Sequence, residues 1–248
     1  MQEAIVRGDR HHRYMEPTPP NHGRAREVVQ TAAEAGLNLV PIVGGTLAVV
    51  MVAALNRNLI ARREEWFTEL AERLQSLSER IDDLSLDDLS QNDDFVDAVV
   101  QATRVLEHSS QRDKIEALRN AVLNAAMPAP PERDVQGLFF NLLDSLTPTH
   151  LQLLDLLNDP GVWFEKSEQE RPDFNLSSSR RALINTAFPE LALQGDEVTD
   201  RFYIDLTSGG LVNSGGLNTM MSAGGAWQPV TTSFGQRFMA FLTEPGDD

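Results

Sequence analysis

Hydrophobic positions along the chain follow two different rules. Residues 35–56, AGLNLVPIVGGTLAVVMVAALN, run for 22 residues without a charge. That is about the length an α-helix needs to cross a bilayer's hydrocarbon core. Arg57, Arg62 and Arg63 follow, as basic residues follow a membrane span. Beyond them Trp66, Phe67, Leu70, Leu74, Leu77, Ile81 and Leu84 recur at three- and four-residue steps, with arginines and glutamates between. This spacing predicts a strongly amphipathic helix, continuous with the apolar run as a rod over 46–84.

The uncharged run supports two readings. In one, Leu37, Leu39, Val40, Pro41, Ile42, Val43, Gly44, Gly45, Leu47, Val49, Val50, Val52 and Leu55 form a membrane-inserted segment. Pro41 and the glycine pair are then tolerated where neighbouring groups satisfy the freed backbone. In the other, 41–45 is a turn in water between helices over 26–38 and from 46 onward. Val49, Val50, Val52, Ala53 and Leu55 then lie inside a soluble helical bundle. Length tips the balance towards the membrane reading.

The remaining pattern is also helical. Asn92 is the expected N-cap of a helix over 93–107 carrying Phe95, Val99, Ala102 and Leu106. A second helix over 111–126 carries Ile115, Leu118, Val122 and Leu123, and the prolines after Met127 end it. A third covers 132–146 with Val135, Leu138, Phe139, Leu142 and Leu143. Thr147 and Pro148 start a fourth, which stops at Pro160. Short helices follow in SSSRRALINTAF and over 196–208, then glycine-rich turns around strands near 217–222 and 226–231. TSFGQRFMAFL closes the chain as a helix.

The fold class read from this is mainly α, divided into a disordered tail (1–24), a helical domain (25–127) containing the apolar segment, and a C-terminal domain (128–248) with a small β-hairpin. The tail carries His11, His12 and His22, but a flexible segment offers a metal no fixed geometry. The expectation is no metal and no cofactor.

Charge narrows the function. The chain has 21 basic and 37 acidic residues, a formal charge of −16. Such a surface repels phosphate backbones, so nucleic acid is an unlikely partner. The absence of cysteine excludes disulfides and thiolate metal sites. No leader peptide is expected from the polar first residues, which puts the chain in the cytoplasm or at a membrane entered through the internal apolar run.

No catalytic constellation emerges. A phosphate-cradling Gly-rich loop ending in Lys-Ser or Lys-Thr is absent, and Gly209–Gly210, Gly215–Gly216 and Gly224–Gly225 read as hairpin turns. His108 and His150 lack a second histidine at ligand spacing, and His150 reads as packing in a first helical turn. The acid pairs near 82–94 lack the spacing of a calcium loop. The expectation is a non-enzyme.

The run DRFYIDLTSGGLVNSG, the glycine-rich segment and TTSFGQRFMAFL resemble the end of winged-helix domains. The candidate recognition helix, however, holds Asp196, Glu197, Asp200 and Asp205 against Arg201. Residues 128–248 carry 7 basic and 17 acidic residues, so the basic-patch criterion for DNA binding fails. Arg180 and Arg181 read as a solvated face. Together with ALRNAVLN (117–124) and LTPTHLQLL (146–154), the order of elements also resembles bacterial abortive-infection alpha (Abi-alpha) proteins. That resemblance implies a part in anti-phage defence, and no functional residue is carried across.

The expected function is a membrane-associated helical protein with a winged-helix-like protein-contact module. Gly44, Gly45 and Ala48 would allow close helix contact in a homo-oligomer. The alternative is a soluble adaptor or transcriptional regulator in which the apolar run is a core helix.

Overall fold

The computed structural model describes residues 45–82 and 84–246. The expected tail, the helix over 26–38, the three tail histidines and Leu37, Leu39, Val40, Pro41, Ile42, Val43 and Gly44 lie outside the described residues. The chain divides into two compact units, Met1–Ala54 and Leu55–Asp248.

Helix α1, Gly45–Arg80, begins at the glycine pair and is a single rod of 36 residues. It contains Gly45, Leu47, Val49, Val50, Val52 and Leu55. Of the uncharged run over 35–56, the twelve residues 45–56 lie in its described length. No helix among the described residues is long and apolar enough to cross a membrane. The transmembrane expectation therefore has no support in the described chain. The bundle-core placement fails here as well, because Val50, Val52, Ala53 and Leu55 are exposed.

In the unit Leu55–Asp248, Trp66, Leu70 and Leu77 of α1 are buried, with Leu74 and Ile81 packed at the edge of the same core. Phe67 is 39% exposed and meets Trp66 edge-on at 5.1 Å. Helix α2, Leu86–Gln91, arises in the acidic joint, capped by Ser85. Helix α3, Asp93–His108, has Asn92 as N-cap, its side chain accepting from the amides of Asp94 and Phe95. Helices α4 (Arg112–Ala125) and α5 (Arg133–Ser145) complete a layer around Leu118, Val122, Phe139 and Leu143.

The C-terminal helix α12, Ser233–Leu242, packs on α4. Phe139 of α5 touches Phe234, Phe238 and Phe241 of α12, with ring centroids 5.2–5.5 Å apart. The halves that meet at the prolines after Met127 therefore share one core. Being covered by both α3 and α12, α5 buries Phe140, while the expected core residue Leu138 is 53% exposed.

The second group of helices comprises α6 (Pro148–Asn158), α7 (Pro160–Lys166), α8 (Arg180–Ala187), α9 (Pro189–Ala192), α10 (Asp196–Ser208) and the four-residue α11 (Ala223–Ala226). The expected hairpin between 217–222 and 226–231 does not form. Strand β2, Met221–Ser222, pairs instead with β1, Ser177–Ser178, in an antiparallel two-stranded sheet. Val212 bridges separately to Thr231, and helix α11 occupies the space between. Among the described residues the chain is mainly helical with this one small sheet.

Candidate interaction surface

Helix α10 is the most elaborately braced element of the second group. Gly195, at φ +111°, turns the chain into it, and Asp196 and Glu197 lie in its first turn, where negative charge favours the helix dipole. Arg181 of α8 reaches across to it: Nε donates to Asn218 Oδ1 at 2.6 Å, Nη1 lies 3.3 Å from Asp196, and Nη2 pairs with Asp200. Arg181 is only 8% exposed. The sequence reading of Arg180 and Arg181 as a solvated face is thus corrected: Arg181 is a buried brace that ties α8, α10 and the following loop together. Asn218 offered no sequence signal, since its partner lies 37 residues away.

The arginine of α10 itself, Arg201, pairs with Asp205 at 2.8 Å. Asp205 also lies 3.5 Å from His150 Nε2. His150 completes a capping box for α6. Its Nδ1 accepts the Thr147 backbone N–H at 3.1 Å, with the Thr147 hydroxyl at 2.9 Å. An Nδ1 that accepts places the imidazole proton on Nε2, facing Asp205. The ring also stacks against Phe202, centroids 4.4 Å apart. Burial lowers the His150 pKa below its usual value, and the Asp205 carboxylate opposes that only in part. This histidine, with Thr147, caps α6.

Lys114 is the same kind of group. Its ammonium donates to the Asp144 and Leu146 carbonyls at 2.8 and 2.9 Å, satisfying carbonyls at the end of α5. Burial lowers its pKa. Sequence reasoning missed it because an isolated lysine in an amphipathic helix looks like solvated surface.

A cleft of about 870 Å³ runs between α1 and α4. Its charges compensate one another: Arg119 pairs with Glu69 and Glu116, and Arg73 lies 2.6 Å from Glu116. Among the described residues no group of three His, Asp or Glu is arranged to hold a metal. His108, the acid pairs and the glycine pairs do not converge: Asp87 and Asp88 sit in the first turn of α2, Asp93 and Asp94 in that of α3, and Gly209 ends α10.

What α10 presents outward is acids, apolar side chains and the exposed Arg201, which is paired with Asp205. Ile204 is 51% exposed, and Leu193, two residues before Gly195, is 87% exposed. No protein-family model matches the chain, and comparison with curated proteins and with solved structures finds no similar protein.

Proposed function

We propose that the protein is a non-enzymatic interaction protein whose C-terminal helices act as a winged-helix-like module that contacts a protein rather than DNA. In this reading α6, β1, α8, α10 and the loop closed by Val212 and Thr231 correspond to the elements of a winged helix, with α10 in the recognition position. One observation carries the reading. Both arginines that serve α10 are already engaged, Arg181 with Asp196 and Asp200, Arg201 with Asp205. A groove-bound helix needs cations for the backbone and donors for base edges, and α10 offers carboxylates around Ile204 instead.

The test pairs two measurements. Labelled duplex DNA at about 50 mM salt, where electrostatic binding is strongest, should show no saturable anisotropy change. Crosslinked capture from the native cell should recover a partner that is lost with Ile204→Arg and Leu193→Arg. Saturable DNA binding overturns the reading.

A membrane contact is a second element of the proposal, motivated by exposed Val50, Met51, Val52, Leu55, Leu59 and Ile60 on α1, since clustered exposed apolar side chains mark contact surfaces. Retention of the full-length protein in carbonate-washed membranes supports it, and recovery in the cytosol removes it. A role in anti-phage defence is the third element of the proposal, motivated only by the likeness of the sequence to abortive-infection proteins, and phage plating on cells with and without the gene tests it.

A further inference from the structure

A groove of about 600 Å³ lies between α4, α6 and α12. Its floor is apolar: Ala117 from α4, Pro148, Leu151 and Leu154 from α6, Met239 and Leu242 from α12. Its rim is acidic. Asp113 and Glu116 stand on the α4 side and Asp155 on the α6 side, against the single cation Arg112. Glu116 is committed to Arg73 and Arg119. Among the described residues neither Asp113 nor Asp155 has an ion-pair partner. Asp113 accepts only from Gln152 Nε2, at 3.2 Å, and Gln152 is one helical turn from Asp155. The two uncommitted carboxylates therefore flank one stretch of apolar floor.

From this geometry we infer that the groove between α4, α6 and α12 docks a basic amphipathic helix of a protein partner, its apolar stripe on Leu151, Leu154, Met239 and Leu242 and its lysines or arginines at Asp113 and Asp155. The groove walls are helices, with no free strand edge among the elements that line it, so helix-in-groove recognition fits rather than strand addition. Charge complementarity fixes the sign of the partner. An acidic helix would meet unpaired carboxylates at the rim, and like-charge juxtaposition is strongly unfavourable at an interface. Burial raises the Asp155 pKa, the condition of a carboxylate that a docked cation would relieve. The inference rests on the protein-interaction reading but uses a surface separate from α10.

The probe is a labelled peptide of about 14 residues, leucine on one helical face and lysine on the other, with a matched peptide carrying glutamate for lysine. The full-length protein should bind the lysine peptide saturably and the glutamate peptide at least about tenfold more weakly. The Asp113→Lys, Asp155→Lys variant should lose about tenfold or more. Glu170→Lys, Glu190→Lys changes the net charge equally at exposed sites away from the groove and should bind as the wild type does. Both variants are checked for an unchanged far-ultraviolet spectrum and melting profile. A second groove variant, Leu151→Gln, keeps the charges and should also weaken binding. Equal loss in the two charge variants shows a bulk charge effect and overturns the groove, as does absence of saturable binding. Partner capture that depends on Ile204 and Leu193 but not on Asp113 and Asp155 overturns the groove while leaving the interaction role intact.

Discussion

A Cβ on Gly235 would lie 2.2 Å from the carbonyl oxygen of Leu211. That backbone is fixed from the other side, because Thr232 N donates to the same oxygen at 2.9 Å while the Thr232 side chain caps α12 by accepting from Gly235 N. Neither partner can give way cheaply. Gly235→Ala should cost about 2–3 kcal/mol, the range of an overpacked core, read as a lowered urea midpoint with unchanged slope. His150 gives the second residue-scale prediction. Burial holds its folded pKa below 6.5, so the unfolded chain takes up a proton that the folded chain resists. Its contribution is complete above pH 6.5 and is lost as pH falls from there to the folded pKa. Equilibrium unfolding between pH 7.5 and about 5 should show wild-type stability falling, and His150→Gln should flatten that slope. A wild-type stability that rises over the same interval contradicts the assignment.

At the scale of elements, the caps and breakers were readable in advance because they act locally. Asn92 caps α3, and Thr147 with Pro148 starts α6. Each signal needs only three or four neighbouring residues. The sheet was misread for the opposite reason. Ser177–Ser178 is polar, two residues long and paired with a segment 44 positions on, so it has neither alternation nor a turn to announce it. The groove was missed although one clue was visible: Asp155 interrupts LQLLDLLN, an acid within an otherwise apolar helix. Tertiary pinning was equally hidden. Asn124 Nδ2 donates to the Phe241 and Thr243 carbonyls at 3.1 and 2.7 Å, and Asn120 Nδ2 to the Leu242 carbonyl at 3.0 Å. These amides satisfy the open end of α12 and hold it on α4. Asn124→Ala should cost about 0.5–1.5 kcal/mol, the net contribution of a part-exposed hydrogen bond. Amide exchange should quicken in α12 before it does in α3. Uniform quickening across both helices would show that the asparagines act on global stability rather than as a pin.

For the whole molecule, the decisive question is where an independently folding piece begins. Composition points to a boundary at the prolines after Met127, but the packing crosses it. α12 lies on α4, Phe139 and Phe140 of α5 pack on Phe241, and α5 also packs on α3. Residues Leu55–Asp248 form one compact unit with a continuous core from Trp66 to Phe241. A chain starting at Leu55 should therefore fold by itself in one cooperative transition, because the buried side chains from Trp66 to Phe241 form one hydrophobic cluster. A chain starting at Pro128 loses α3 and α4 together. It exposes the faces of α5 and α12 that bury Phe139, Phe140 and Phe241, and it leaves the α12 carbonyls without Asn120 and Asn124. Exposed aromatic surface on that scale drives association, so this fragment should be aggregated or molten, with strong dye binding and no sharp melt. The winged-helix-like reading makes the competing prediction, since an autonomous module over 128–248 would melt sharply and stay monodisperse. If it does, the contacts between α4 and α12 are an interface between two domains rather than a core. The groove between α4, α6 and α12 would then open and close with their docking.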